Sequence, residues 1–322
     1  METKNIIIFH AESWDGRMLG SMGHPALKEA TPNVDALAER GVMFENTYSS
    51  HPICCPSRAN MWSGKYTHNC ESWNNFKGLE TNMWAFPEAV SETHNVGFFG
   101  KRDYRSGGHT LLARLSAWLG PVNKNRPVFD RDNSQDFKVM DNEKRRCHTG
   151  DWEKIDKAVQ FLEDQQNEEK PFFLTISSSL VHPHFTTNQY WLDKIPEELV
   201  DIPPEDNTEH PAIAYQRMAK AWRYGFDEET VRKVRRIYMA MCAEADALLG
   251  ELVDAVDNMG LTDDTIIIFL SDHGELALEH QDWYKMSLYE GSVRVPLVIA
   301  GPGLEKGLRL PNIVSLIDIC PT

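Results

Sequence analysis

No run of this sequence is apolar for long enough to cross a bilayer, which argues against a membrane-spanning helix and a membrane partner. METKNIIIFH lacks the basic segment, long apolar stretch and small-residue cleavage site of a signal peptide and enters a strand pattern at once. There is also no Asn-x-Ser/Thr sequon. These absences fit a cytoplasmic protein if Met1 is native, or a secreted, periplasmic or lysosomal one whose leader has been removed. The six cysteines, Cys54, Cys55, Cys70, Cys147, Cys242 and Cys320, have neither zinc-knuckle spacing nor the pairing pattern of a small disulfide framework. Positive charge is scarce: 33 Lys and Arg stand against 48 Asp and Glu, and a net charge of −15 argues against a nucleic-acid partner. An anionic ligand must then be held by a local cationic pocket, at short range where screening is least. Internal repeats are absent, and 322 residues suffice for one large domain over 1–322.

What is present reads as α/β. Asn5 to His10 and Ile266 to Leu270 are short apolar runs bounded by polar residues, the pattern of buried parallel strands, and Val96 to Phe99, Phe172 to Ile176 and Val295 to Ile299 extend the set. Helices are expected over Asn33 to Glu39, between Thr31-Pro32 and Gly41, over Trp152 to Gln166, and near Glu228 to Met259. In the last of these, Met239, Cys242, Ala245, Leu249 and Val253 recur at helical spacing as a core stripe. The stretches 120–146, charged and poorly periodic, and 188–226, with Pro203-Pro204 and several aromatics, read as surface insertions. The aromatics of the second either line a substrate mouth or pack. Acidic residues follow two of the strands at once, Glu12 and Asp15 after the first and Asp272, with His273, after Ile266 to Leu270. In open α/β sheets ligands sit beyond the carboxyl ends of strands, so these groups can converge from far apart in sequence.

The most informative stretch is Cys54-Cys55-Pro56-Ser57-Arg58, followed by Met61, Ser63-Gly64-Lys65 and Thr67-His68. Two adjacent cysteines before a proline could be buried small hydrophobes or a redox pair. The extension favours a turn feeding the first turns of a helix, with backbone N–H groups near an anion and position 54 at the helix's positive end. Cysteine, proline and arginine at this spacing match the recognition site for converting cysteine to formylglycine, an aldehyde whose hydrate is a nucleophile. The proline must stand two residues on, so Cys54, rather than Cys55, aligns with the modified position, and Cys55 reads as structural.

Three blocks, Ser50 to Gly78, Gly100 to His109 (GKRDYRSGGH) and Tyr238 to Gly303 with MCAEADALLGE, SDHGELALEH and YKMSLYE, complete a pattern. Over nearly its whole length the chain resembles the formylglycine-dependent, type I sulfatases of the alkaline-phosphatase-like superfamily. The resemblance implies a mixed, mostly parallel central sheet with helices on both faces, and a C-terminal subdomain that is missing after Thr322. It implies a sulfuric ester hydrolase acting on a small sulfated sugar or oligosaccharide, such as a 2-O-sulfated uronate, with a formylglycine-generating enzyme as maturation partner.

The resemblance also implies a divalent metal, calcium first with magnesium or manganese as alternatives, held by Glu12, position 54, Asp272 and His273. The family's usual first Asp is here Glu12, its Asp neighbour is Ser13, and the Asn of the late pair is His273, a set that weakens calcium relative to manganese or magnesium. Asp15 either supplies the missing charge or caps a helix. Arg58 is implied to brace the hydrate, Lys101, His182 and Lys285 to bind sulfate, and His182 with Lys285 to protonate the leaving alcohol. Asp103 stands where the family commonly has a histidine, and His109 is implied in its place as the base that releases sulfate in two-step covalent catalysis. Trp73, Asn74, Asn75 and Lys77 either read the sugar or pack. Two other readings stay open: a phosphonate or phosphate ester hydrolase on the same scaffold, and a non-catalytic sulfated-glycan binder.

Overall fold

The computed structural model describes residues 4–105, 137–204, 210–219, 222 and 225–322. Its strands, in chain order, are β1 (Asn5–Ala11), β2 (Gly41–Tyr48), β3 (Asn95–Gly100), β4 (Phe137–Met140), β5 (Phe172–Ser178), β6 (Phe185–Asn188), β7 (Thr265–Leu270), β8 (Arg294–Val295), β9 (Leu297–Ala300) and β10 (Leu308–Ser315). Four helices organise the site: α1 (Pro32–Glu39), α2 (Cys54–Ser63), α3 (Thr149–Gln165) and α4 (Glu228–Asn258).

Side chains along β1 are sent alternately to two cores, because successive side chains of a strand point to opposite faces. Ile7, Phe9 and Ala11 enter one apolar core and Ile8 enters another. The neighbouring β7 divides in the same way, with Ile267 and Phe269 on the first side and Leu270 on the second. A sheet apolar on both faces must be covered on both. Val34 and Leu37 of α1, Ile155 and Leu162 of α3, and the stripe Met239, Cys242, Ala245 and Leu249 of α4 fill the first core. Ala59, Met61 and Trp62 of α2 fill the second.

Among the described residues the main sheet runs β10-β2-β9-β7-β1-β5-β3, with β8 attached to β2. The strands are parallel except that β9 is antiparallel to β2 and β7, and β8 to β2. This is the mixed, mostly parallel sheet flanked by helices. Four adjacent parallel strands of it, β7, β1, β5 and the edge strand β3, therefore end side by side at Leu270, Ala11, Ser178 and Gly100. A small parallel pair, β4 and β6, lies apart from it.

The expected strand Val295 to Ile299 is two strands. Pro296 has no N–H to give a ladder, so the chain breaks there, and β8 pairs with Thr47 and Tyr48 while β9 pairs with Gly41 to Met43 and with β7. The expectation also passed over β2 and β10, whose half-exposed, polar-containing patterns lack a long apolar run. Of the expected excursion at 120–146, residues 120–136 lie outside the described residues and Phe137–Met140 forms β4. Within 188–226, Trp191 and Trp222 are packed inside and Tyr215 is exposed. No helix among the described residues is long and apolar enough to cross a membrane.

Gly41 both ends the turn after α1 and opens β2 against β9. A Cβ there would meet the Ile299 carbonyl oxygen at 2.2 Å and Ala300 Cα at 2.5 Å, both rigid backbone atoms of the paired strand. Gly41→Ala should therefore destabilise the fold by about 1–3 kcal/mol, the range for overpacking, read as a lower urea midpoint at unchanged slope.

A candidate metal centre at the ends of four strands

Every residue of α2 is buried, so this polar helix is held by specific bonds rather than by an apolar stripe. Ile53 provides no side-chain cap; instead Asn75 Oδ1, twenty residues downstream of Cys55, accepts the Cys55 amide at 2.9 Å. Ser57 Oγ donates to the Asp272 carbonyl at 2.5 Å and receives a bond from Ser49 Oγ at 3.1 Å. Helix α2 is thus tied directly to the exit of β7. The exit of β1 is tied as firmly: Glu12 N donates to Leu180 O at 2.9 Å and Trp14 N to Ser271 Oγ at 2.9 Å. Tyr238 of α4 takes the Asp15 amide at 2.9 Å and donates to Ser13 O at 3.0 Å.

These ties bring Glu12, Cys54, Asp272 and His273 into one buried cluster whose ligand atoms all lie within 4.8 Å of one another. His273 Nδ1 is 2.9 Å from the Gly274 carbonyl, to which it can only donate, leaving the lone pair on Nε2 directed at Cys54 Sγ, 3.2 Å away. The Ser13 amide and the His273 amide both point to Asp272 Oδ1, at 3.4 and 3.1 Å. Two carboxylates, one imidazole nitrogen and one sulfur in a closed space form a donor set that fits a divalent cation. The carboxylate of Asp15 is not part of it. Arg17 holds that side chain through Nε at 3.0 Å and Nη2 at 2.7 Å, so it does not supply the charge missing at Ser13.

Three cations surround the cluster. Arg58, 1% exposed, donates from Nε to Asp272 Oδ2 at 2.9 Å and from Nη1 to Lys101 O and Ser177 Oγ, each at 2.8 Å. Its Nη2 stands 3.9 Å from Glu12 Oε2. Lys101 Nζ pairs with Glu12 Oε1 and lies 3.4 Å from Asp103 Oδ2. Lys285 Nζ sits 2.7 Å from His182 Nε2, and His182 Nδ1 faces the Pro183 carbonyl at 2.6 Å. That arrangement fixes the imidazole as an Nδ1 donor that accepts from Lys285 at Nε2, leaving the mobile proton on the lysine. His109 lies outside the described residues. Trp73 is exposed, and Asn75 is occupied as the cap of α2.

Burial opposes ionisation throughout the cluster, yet the cations outweigh it. At Cys54 burial pushes the thiol up, and Lys285 and Lys101 draw it well below the usual thiol range. Burial likewise works against the Glu12 and Asp272 carboxylates, but Lys101 and Arg58 hold Glu12 well below its ordinary 4.5, while Arg58 holds Asp272 well below 3.8. His10, buried on β1 with Nε2 3.6 Å from Asp272 Oδ1, is moved the other way, down to about 4, by burial and by Arg58. Sequence reasoning did not find His10, Ser177 or Tyr238, since nothing in a strand histidine, a strand-end serine or a helix tyrosine signals the partner that folding brings.

A loop over residues 276–286 delivers Lys285. Ala277, Leu278, His280, Gln281, Tyr284 and Met286 all have φ between 44° and 70°, the left-handed region that non-glycine residues rarely adopt. Gly274 at its root allows close approach, since a Cβ would lie 2.0 Å from the Gly291 carbonyl oxygen.

Both carboxylates have folded values below their unfolded ones, so the folded protein binds fewer protons. Their contribution is complete above about pH 4.5 and is lost as pH falls through the depressed folded values. Arg58→Met should destabilise the chelated protein by about 3–5 kcal/mol at neutral pH by leaving buried carboxylates unpaired. In urea titrations that deficit should shrink as pH is lowered below 4.5 and the carboxylates protonate; a pH-independent deficit would contradict the ion-pair account.

A family model described as Sulfatase matches residues 4–322. Arylsulfatase K of Mus musculus is 39% identical over 343 residues, an alignment that takes in 100% of this chain and 60% of the mouse protein. The chain therefore spans about three-fifths of that relative's length. The crystal structure of the phosphonate monoester hydrolase of Agrobacterium radiobacter superposes with a TM-score of 0.80 at 24% identity, covering 99% of this chain and 72% of that one. A protein solved in complex with its substrate D-glucosamine-2-N,6-O-disulfate gives a TM-score of 0.73 at 19% identity over 100% of this chain and 76% of that one. At these identities the two structures bear on the fold alone.

Proposed function

The chain belongs to the sulfatase family, and from that premise we propose that it hydrolyses a sulfate ester of a carbohydrate, a 2-O-sulfated uronate being the first sugar to assay. The observation that carries the reading is the buried convergence of Glu12, Cys54, Asp272 and His273 inside a ring of three cations. Glu12, Asp272, His273 and position 54 would hold the divalent cation, calcium or, with an imidazole among the ligands, magnesium or manganese. When bound, that cation would polarise a sulfate oxygen, and formylglycine made from Cys54 by a formylglycine-generating enzyme would supply the hydrated aldehyde as nucleophile.

The chain's own residues account for the rest. Lys101 and Lys285 draw the anionic group into the pocket against the chain's net charge of −15, because both act at short range from partly or wholly buried positions. Negative charge spread over the sulfate oxygens is stabilised by these two ammonium groups. Arg58, bonded to Asp272, Lys101 O and Ser177, keeps position 54 and the metal ligands in one arrangement. The leaving alcohol oxygen takes its proton from the Lys285–His182 pair, where Nζ and Nε2 are 2.7 Å apart.

The test is made on protein from a host that converts cysteine to formylglycine. Peptide mass spectrometry should find position 54 lighter by the exchange of a thiol for an aldehyde, turnover of an aryl sulfate should exceed that of the matching aryl phosphate, and Cys54→Ala should fall to background. Faster turnover of the phosphate would assign a phosphonate or phosphate ester hydrolase instead. A thiol that stays unconverted in the native host, with binding of sulfated glycan and no turnover, would leave a glycan binder.

A further inference from the structure

The loop that brings Lys285 to His182 has an internal latch that lies outside the cluster of metal-ligating side chains. Glu275 is 1% exposed, and its Oε1 accepts two amides, from Ala277 at 3.2 Å and from Tyr284 at 2.6 Å. The first is at the start of the loop and the second is the residue before Lys285, so a single carboxylate oxygen closes the ring. Main-chain bonds follow the same closure, from Leu276 N to Tyr284 O at 2.8 Å and from Leu278 N to Asp282 O at 3.0 Å. From Ala277 to Tyr284 inclusive lie five of this loop's six non-glycine residues with positive φ, a conformation that persists only where surrounding bonds over-determine it. The other oxygen, Oε2, is buried with no hydrogen-bond partner among the described residues.

We propose, resting on the sulfate-ester reading, that Glu275 is a positioning residue for Lys285, its Oε1 setting the reach of Nζ to His182 and to the substrate's leaving oxygen. Its side-chain hydrogen bonds go to the backbone of Ala277 and Tyr284, and its carboxylate lies within electrostatic reach of the Lys285 ammonium. A merely structural carboxylate would contribute to stability wherever the loop went, whereas a positioning one loses its effect once Lys285 has no ammonium to place.

A double-mutant cycle separates the two. In the converted enzyme, kcat and KM for an aryl sulfate are measured for Lys285→Ala, Glu275→Ala, Glu275→Gln and the Glu275→Ala/Lys285→Ala pair, with thermal melts as a check on folding. Lys285→Ala should lower kcat by about 100-fold, as loss of a proton donor does, and Glu275→Ala by about tenfold or more. The double variant should be no slower than Lys285→Ala alone. Glu275→Gln, whose Oε1 still accepts both amides, should lie nearer wild type than Glu275→Ala. If Glu275→Ala does not fold, Glu275→Asp, which draws the oxygen back by one methylene, takes its place in the cycle with the same expectations.

Independent, multiplying losses in the double variant would overturn the proposal, as would a Gln variant no better than the Ala one. An enzyme sensitive to Lys285→Ala but indifferent to Glu275→Ala would overturn it while leaving the parent reading intact. A converted wild type without sulfate-ester turnover would defeat the parent reading and this one together.

Discussion

Everything in this centre depends on the charge balance around Arg58. Two carboxylates and a thiol lie in a closed space from which water is largely excluded, an arrangement that low local polarity strongly disfavours. Arg58 is buried among them, and its planar fork reaches Asp272, a backbone carbonyl and Ser177 at once. A lysine would bring a point charge without those directions. Lys101 and Lys285 add charge from the rim, so the cluster is anionic in its ligands and cationic in its surroundings. That combination suits a site that must hold a metal and attract an anion together.

The scaffold makes the balance possible by a geometric coincidence built into its topology. Four parallel strands end in one row, and each exit loop contributes one part: Glu12 after β1, Asp272 and His273 after β7, the Ser177 to Val181 segment at β5, and Lys101 after β3. Helix α2 comes from a different direction, after β2, and is bonded to this row through Ser57 and Arg58. Its first-turn amide is satisfied by Asn75, so the polar helix can remain entirely buried. The long helix α4 adds Tyr238 under the β1 exit, which links core packing to the position of Glu12 and Ser13.

Legibility followed the physics of each signal. Strands buried on both faces, such as β1, β5 and β7, are near-continuous apolar runs and can be read directly. The α4 stripe was equally plain because its period matches the helix over many turns. β2 and β10 were opaque, since edge or half-covered strands mix polar and apolar residues and take their identity from a neighbour far away in sequence. The split at Pro296 was written in the chain, but only the pairing partners reveal that the two pieces bond to different parts of β2.

The sequence by itself determined the covalent and local terms: the Cys-x-Pro-x-Arg spacing, the apolar runs, and acidic residues immediately after strands. These depend on neighbours within a turn or a strand, where backbone geometry is the same in every protein. Only the tertiary structure decided which charges meet. Glu12 turned to Lys101, and Asn75 to the start of α2, because contacts between distant parts of the chain set those distances. Electrostatic interaction falls with distance and grows with burial, and neither quantity is written in the order of residues.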